Sequence, residues 1–176
     1  MEPARRTWWQ AEPERLADEQ SKMQELFPTL EWTAEGAGRW EGTVPLWAFE
    51  RPAPTDLELL LGEIPFEIAV VYSHAFPASP PMVYPTNPAA APELRSFTDY
   101  HVLGDGSLCL LRDATDWSTR GLTTDLVLKA IGWRLEYALF QVGKIRRFSK
   151  RGIVTNPKYD ALIREAVEEA RNGVTQ

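Results

Sequence analysis

The stretch from residue 76 to residue 117 most constrains what this chain can fold into, because it joins a stiff proline segment to the only cysteine. It begins with the letters FPASPP, and three prolines in six positions hold the backbone in an extended or turn path. The letters GDGS come later and predict a tight turn immediately before Cys109. A tryptophan stands eight residues after the cysteine. We expect the rest of the chain to form a scaffold for this arrangement.

Length and composition predict a single domain over residues 1–176. The chain is 44% hydrophobic, which is enough to bury a core of its own. Its net charge of −6 argues against a nucleic-acid partner, because phosphate binding needs a surplus of lysine and arginine. A single cysteine forms no intrachain disulfide, and no apolar run approaches the ~20 residues that span a membrane. We therefore expect a cytoplasmic protein without a membrane partner.

Hydrophobic periodicity predicts an α+β fold, in which helices at both ends of the chain cover an antiparallel sheet of about four strands. The predicted elements are, in order, a helix over 13–27, a hairpin over 30–49 that ends before the prolines of 51–54, strands over 64–72 and 82–84, an irregular loop over 87–99, and helices over 123–143 and 157–173. Thr123 or Thr124 is expected to cap the first C-terminal helix, and Asn156 the second. Trp8 and Trp9 are expected to form a short extra turn or a flap over the core.

Cys109 has two interpretations. A lone cysteine flanked by Leu108, Leu110 and Leu111 is usually a small buried hydrophobic residue. The glycine turn just before it favours a different role, since such a turn lets the backbone approach a partner closely and leaves the thiol at a loop-to-extended junction. The sequence alone leaves both open.

The proline segment also has two interpretations. It is either a connection between two strands or a rigid, partly apolar knob for a partner surface. The residues that would form the knob are Phe76, Pro77, Pro80 and Pro81.

Several motifs in this order resemble the ubiquitin-conjugating enzyme family. They are the letters FPxxPPxV from residue 76, a glycine three residues before the cysteine, the Leu-Cys-Leu cysteine itself, and Trp117 eight residues after it. The letters RWEGTV at 39–44 are similar to the family's second strand, and the order of helices agrees. The resemblance covers about residues 13–142 and leaves a C-terminal helical extension over 143–176. It implies the fold of that family, with an N-terminal helix, a four-stranded antiparallel meander, a catalytic loop and C-terminal helices.

Two departures from the family pattern point to one branch of it. The family's His-Pro-Asn tripeptide places an asparagine eight residues before the cysteine, where this chain has His101 and no such tripeptide. The proline that follows the family's tryptophan is also missing. These changes resemble divergent bacterial members encoded in antiphage defence operons, notably CBASS operons beside cGAS-like nucleotidyltransferases. A chain without a fused activating domain resembles the short form of those systems.

The resemblance implies that Cys109 carries the C-terminus of a partner protein as a thioester and passes it to an acceptor amine. The partner would be a cGAS-like nucleotidyltransferase or a ubiquitin-like protein, with an activating enzyme as a further partner and no cofactor. His101 would either donate a hydrogen bond to the oxyanion, in place of the family's asparagine, or act as a base toward the amine. A third possibility is that His101 only hydrogen-bonds the loop.

Charged side chains provide auxiliary candidates. Three carboxylates lie close to the cysteine in the sequence: Asp105, Asp113 and Asp116. One of them could orient or deprotonate a lysine. The simpler interpretation is that they are solvated loop carboxylates. The first helix meets the activating enzyme in the family, and three arginines near it are therefore candidates for partner binding: Arg5, Arg6 and Arg15. The basic letters KIRRFSKR at 144–151 are a solvated cluster or, less simply, a contact for an acidic partner or a nucleotide.

Other functions compete with conjugation. No metal site is predicted, because His74, His101 and Cys109 lack the spacing of metal ligands. A catalytically inactive binding module of the same fold is favoured by the missing asparagine, whereas the cysteine at the family position favours the enzyme. A Cys-His protease ranks last, since it needs a base and a nucleophile brought together on a substrate cleft.

Overall fold

A computed structural model describes residues 6–150, 152 and 156–174 of the chain. Two helices precede the sheet, α1 (Trp8–Ala11) and α2 (Pro13–Leu26). The strands are β1 (Leu30–Thr33), β2 (Arg39–Val44), β3 (Phe66–Val71) and β4 (Met82–Asn87), and the short helix α3 (Glu58–Leu61) lies between β2 and β3. The chain ends with α4 (Thr123–Gln141) and α5 (Asp160–Val174). Short 3-10 turns occupy Pro92–Leu94, Thr98–Tyr100, Ala114–Asp116 and Pro157–Tyr159.

The four strands form one antiparallel meander in the order β1-β2-β3-β4, as the sequence predicts. Its register places Trp40 opposite Trp32 on one side and Val70 on the other, and Val70 opposite Val83. Alternate residues along β3 point inward because side chains of a strand alternate between faces, and Phe66, Ile68 and Val70 are all buried. Helices α2 and α4 contact the sheet through β1 and β4 respectively.

Helix α4 is buried nearly all round, since it lies between two apolar clusters. Val127 and Ile131 belong to the cluster against the sheet, whereas Leu135 and Leu139 belong to the cluster that contains Ile163 of α5. A helix that is apolar on all sides is typical of the interior of a domain. The C-terminal extension therefore packs on the same central helix as the sheet. No helix of the described residues is long and apolar enough to cross a membrane.

Several element boundaries differ from the sequence-based expectations. Strand β2 ends at Val44, well before the expected prolines, because Pro45 follows it and has no amide hydrogen for the ladder. Strand β4 is longer than expected and runs to Asn87. The expected irregular loop contains 3-10 turns.

Predictions for the helix ends were right in part. Leu122, not Thr123 or Thr124, is the N-cap of α4, and its side chain makes no capping hydrogen bond. Asn156 acts as predicted, since its side chain accepts from the amide of Lys158. The residues Trp8 and Trp9 belong to α1, which is the predicted extra turn.

A buried polar cluster, the Glu19 cluster, joins α2, the sheet and α4. The Tyr72 hydroxyl donates to Glu19 Oε2 at 2.9 Å, lies 2.9 Å from Thr123 Oγ1, and accepts from Trp40 Nε1 at 3.3 Å. This contact explains why Thr123 turns into the core and does not cap its helix. Burial raises the pKa of Glu19, although hydrogen bonds from Thr123 and Tyr72 partly oppose the rise.

Candidate functional site

Cys109 lies in a tight loop that pairs with itself after β4. Val102 and Leu108 form an antiparallel bridge, and the amide of Cys109 donates to the carbonyl oxygen of His101 at 2.8 Å. On the other side of the bridge, the amide of Leu103 donates to the Ser107 carbonyl at 2.8 Å. This pairing puts the backbone of His101 next to that of Cys109.

The two residues of the bridge are buried. Val102 and Leu108 are 2% and 6% exposed and belong to the core. His101 and Cys109, one residue further along each arm of the bridge, are both half-buried. The amide of Leu108 donates to the carbonyl of Val83 at 2.8 Å, which ties the loop to β4. The structure therefore pairs the backbones of the predicted nucleophile and the predicted histidine, and both residues are half-buried.

Cys109 is a free cysteine and is half-buried. Cys109 Sγ lies 3.5 Å from the carbonyl oxygen of Leu111. Of the flanking leucines only Leu108 is buried, whereas Leu110 and Leu111 are half-buried. The interpretation of Cys109 as a small core residue does not fit this position.

The turn before the cysteine is held by its own side chains. Asp105 Oδ1 accepts from the hydroxyl of Ser107 at 2.6 Å and from its amide at 3.0 Å, and Asp105 Oδ2 accepts from the Tyr84 hydroxyl at 2.9 Å. The hydrogen bonds from Ser107 lower the pKa of Asp105. Gly106 has φ +88, and a Cβ there would meet the guanidinium of Arg95 at 3.3 Å. A side chain at this position would be strained and crowded.

The two other candidate carboxylates are also engaged locally. Asp113 caps the 3-10 turn by accepting from the Thr115 amide at 2.8 Å, and hydrogen bonds from the Thr115 side chain and amide lower its pKa. Asp116 forms a two-pronged pair with Arg112 at 2.9 and 3.0 Å, which lowers its pKa to about 2. Both are exposed or half-buried carboxylates that hold the loop after the cysteine. Their lowered pKa values make them poor bases at neutral pH.

His101 is held by the C-terminal segment, which the sequence did not indicate. Its backbone has φ +55, in the left-handed region that is uncommon for a side chain other than glycine. Its Nε2 lies 2.8 Å from the carbonyl oxygen of Ser149. Glu136 of α4 in turn accepts from the Ser149 amide at 2.6 Å and from its hydroxyl at 2.7 Å. We name this set of Glu136, Ser149 and His101 the Glu136 relay.

Sequence reasoning missed Glu136 and Ser149. The signal for Glu136 was a carboxylate between Leu135 and Tyr137 in an otherwise apolar stretch of helix. It is 1% exposed, and an ionisable side chain buried to that extent needs partners. Ser149 carried no comparable signal, because a serine in a basic run is unremarkable on its own.

The proline segment is anchored in the core by its aromatic residue. Phe76 is 3% exposed, and its ring lies 4.6 Å from Trp8, 4.7 Å from Tyr72 and 6.3 Å from Trp117 between centroids. Trp117 Nε1 donates to the carbonyl oxygen of Pro77 at 2.9 Å. A Cβ on Gly121 would meet the Trp117 ring at 2.7 Å, so glycine is what lets the ring lie there. Trp117 therefore fixes the proline segment.

Only part of the segment is accessible to a partner. Phe76 and Pro81 are buried, which rules out direct contact of these two predicted knob residues with a partner in this structure. Pro77 and Pro80 are half-buried, and Ala78 between them is exposed.

The predicted basic residues are dispersed. Arg5 lies outside the described residues, and Arg6 is exposed. Arg15 pairs with Glu12 at 2.6 Å, donates to the carbonyl oxygen of Thr119 at 2.9 Å and lies 5.9 Å above the Phe76 ring. Arg15 therefore joins α2 to the loop after Trp117.

The remaining candidates are the basic run and the other histidine. Lys144 pairs with Glu165 and Glu169 of α5 at 2.7 Å each, whereas Arg146 and Arg147 are exposed and Arg151 lies outside the described residues. His74 is exposed. Within the described part of the chain, no group of three or more His, Cys, Asp or Glu side chains could hold a metal ion.

The comparisons with known proteins give no family for this chain. No protein-family model matches the sequence, and no curated protein matches it.

Proposed function

We propose that this protein is a ubiquitin-conjugating-like enzyme of bacterial type, with the ubiquitin-conjugating fold, that forms a thioester between Cys109 and the C-terminus of a partner protein. It then passes that C-terminus to an acceptor amine. The observation that carries the proposal is the loop pairing, which sets the backbone of His101 next to that of Cys109, with both residues half-buried. The order of helix, meander, cysteine loop and helices is consistent with it.

The chemistry that this arrangement supports has two steps. In the first, the Cys109 thiolate attacks the carbonyl carbon of an incoming thioester, a new carbon–sulfur bond forms, and the original thiol leaves. In the second, an amine attacks the Cys109 thioester, the carbon–nitrogen bond forms, the nitrogen loses a proton to a base, and Cys109 leaves as a thiolate. Each step passes through an oxyanion, which a hydrogen-bond donor fixed beside the sulfur would stabilise.

The partner and the biological setting rest on the resemblance of the motifs alone. The carried C-terminus would belong to a cGAS-like nucleotidyltransferase or a ubiquitin-like protein, an activating enzyme would supply it, and the setting would be antiphage defence. The exposed part of the proline segment around Ala78 and the surface near Arg6 are the candidate partner contacts.

One observation favours the alternative of an inactive binding module. The three candidate carboxylates all hold local turns, and their lowered pKa values make them poor bases for an attacking amine. His101 is then the one titratable candidate for that role beside the thiol, among those predicted. A conjugating enzyme then needs His101 as the base for the attacking amine, whereas a binding module needs no base.

A synthetic peptide with a C-terminal glycyl thioester of 2-mercaptoethanesulfonate tests the proposal without the natural partner. We expect intact-mass analysis to show the peptide on Cys109 as an adduct that excess dithiothreitol removes by thiol exchange and that a phosphine reductant leaves in place, and we expect no adduct on Cys109→Ala. The chain has no other cysteine, so the adduct reports on this thiol alone.

A matched control separates an active site from any accessible thiol. The double variant Cys109→Ala with Ala78→Cys presents one thiol at an exposed position of the same chain. We expect the Cys109 thioester to transfer its peptide to free lysine about 10²-fold faster than the thioester at residue 78, since general base catalysis contributes at least that much. Equal transfer rates would favour the binding module.

A further inference from the structure

Glu136 is a buried carboxylate that the two chemical steps do not use. It lies in the middle of α4 and is 1% exposed, and removing such a charge from water is costly unless hydrogen bonds replace the solvent. Both of its oxygens accept from one residue, Ser149, through the amide and the hydroxyl. This two-point attachment fixes the backbone of Ser149 as well as its side chain.

The carbonyl of the same residue fixes the proton on His101. A carbonyl oxygen only accepts hydrogen bonds, so His101 Nε2, at 2.8 Å from Ser149 O, carries the hydrogen. In a neutral imidazole the other nitrogen, Nδ1, then has the free lone pair. Nδ1 is therefore the ring atom that can accept a proton.

The residues around Ser149 support the same placement of the His101 ring. Phe148 is 5% exposed, packs with the rings of Tyr100 and Trp133, and donates its amide to the Asp99 carbonyl at 3.1 Å. The segment that bears Ser149 is thus anchored in the core immediately beside the histidine. The left-handed backbone of His101 is a cost that such surroundings can sustain.

We propose that Glu136 and Ser149 are positioning residues that fix the His101 ring, so that Nδ1 is the base for the amine that discharges the Cys109 thioester. The inference rests on the proposed function and decides between the two roles that the sequence left open for His101. As the amine attacks the thioester carbon, its nitrogen passes a proton to Nδ1, the carbon–sulfur bond breaks, and the imidazolium returns the proton to the leaving thiolate of Cys109. Atoms and charge balance without a further reactant.

The first test measures directly how firmly the His101 ring is held, and it does not depend on catalysis. The chain has two histidines, and His74 is exposed, so a protected ring N–H signal in a ¹⁵N-labelled sample belongs to His101. We expect the Nε2–H signal at a pH where the ring is neutral, and we expect Glu136→Gln to make it exchange at least about tenfold faster. Ser149→Ala, which keeps the backbone amide bond to Glu136, should have a smaller effect in the same direction. Glu19→Gln, the same change in the other buried cluster, should have none.

The second test reads the chemistry through peptide transfer to lysine. We expect Glu136→Gln to slow transfer from Cys109 about tenfold while leaving the loading of Cys109 unchanged, and His101→Asn to slow it about 10²-fold. In the His101→Asn background, Glu136→Gln should cause no further loss, because it acts through the missing ring. Additive losses, or an Nε2–H signal that Glu136→Gln leaves unchanged, would overturn the inference.

The two proposals can fail separately. If Cys109 takes up no peptide, the proposed function fails while the ring N–H signal still tests the positioning. If Cys109 loads and transfers normally in Glu136→Gln, the proposed function stands and the positioning role is wrong.

Discussion

The Glu19 cluster and the Glu136 relay each contain a buried carboxylate and a residue of α4, yet only the relay leads to the cysteine loop. Glu19 is bound by Tyr72, whose hydroxyl also meets Thr123 and Trp40, so that all partners belong to the sheet and its helices. Glu136 is bound by Ser149, which continues to His101 and from there to the backbone of Cys109.

The difference shows that burial of a carboxylate is by itself a poor sign of function. The hydrogen bonds of the Glu19 cluster end on residues in or next to the sheet and its helices. This is typical of a structural cluster that joins a helix to a sheet. The Glu136 relay ends on a half-buried ring with one nitrogen uncommitted in the hydrogen bonds of the described residues. The endpoint of a hydrogen-bond chain, and not its burial, therefore distinguishes the two.

The largest expected effect is a loss of stability on truncating Phe76, whose ring packs against Tyr72 in the core. We expect Phe76→Ala to lower the free energy of unfolding by about 3–5 kcal/mol, because it empties a site that packs on three aromatic rings. Urea unfolding measures the loss. Phe97→Ala is the matched control, since Phe97 is 59% exposed and its truncation should change stability by less than about 0.5 kcal/mol. Similar losses for the two variants would show that Phe76 is not part of the core.

A smaller loss is expected from removing one hydroxyl of the Glu19 cluster. Tyr72→Phe leaves Trp40 Nε1 and a Glu19 oxygen without their buried partner, which we expect to cost about 1–3 kcal/mol of the free energy of unfolding. Tyr84→Phe removes a hydroxyl at the surface and should cost less. Neither change should alter the His101 ring signal. A changed ring signal in Tyr72→Phe would mean that the two clusters are coupled.

The smallest effect should be a pH dependence that belongs to Glu19. Burial raises the pKa of Glu19 above its ordinary value of 4.5, so between that value and the raised one the folded state binds more protons than the unfolded state. The contribution of Glu19 to stability is then present at low pH and is lost as pH rises through this window. We expect the stability of the natural chain relative to Glu19→Gln to fall over that window in urea unfolding. A difference that stays constant with pH would contradict the raised pKa.

Much of the fold was predictable because its signals are local. The hairpin of β1 and β2 follows from alternating residues around a glycine turn, and the end of α4 follows from Gly143, which lies just past the helix with a φ of +75. The N-cap of α4 was predicted wrongly because a distant residue, Tyr72, takes up the Thr123 hydroxyl. That competition involves residues 51 positions apart and leaves no local pattern.

The residues of the candidate site also fall into two groups, those that the local sequence predicts and those that only long-range packing brings together. The sequence alone determined a lone cysteine after a glycine turn and a histidine eight residues before it, whereas the pairing of their backbones is seen in the structure. Only the tertiary structure decided that Phe76 is an anchor and not a partner contact, and that Glu136 and Ser149 meet His101. The physical reason is that turns and periodicity are encoded by neighbouring residues, whereas a buried hydrogen-bond chain depends on which segments the packing of α4 brings together.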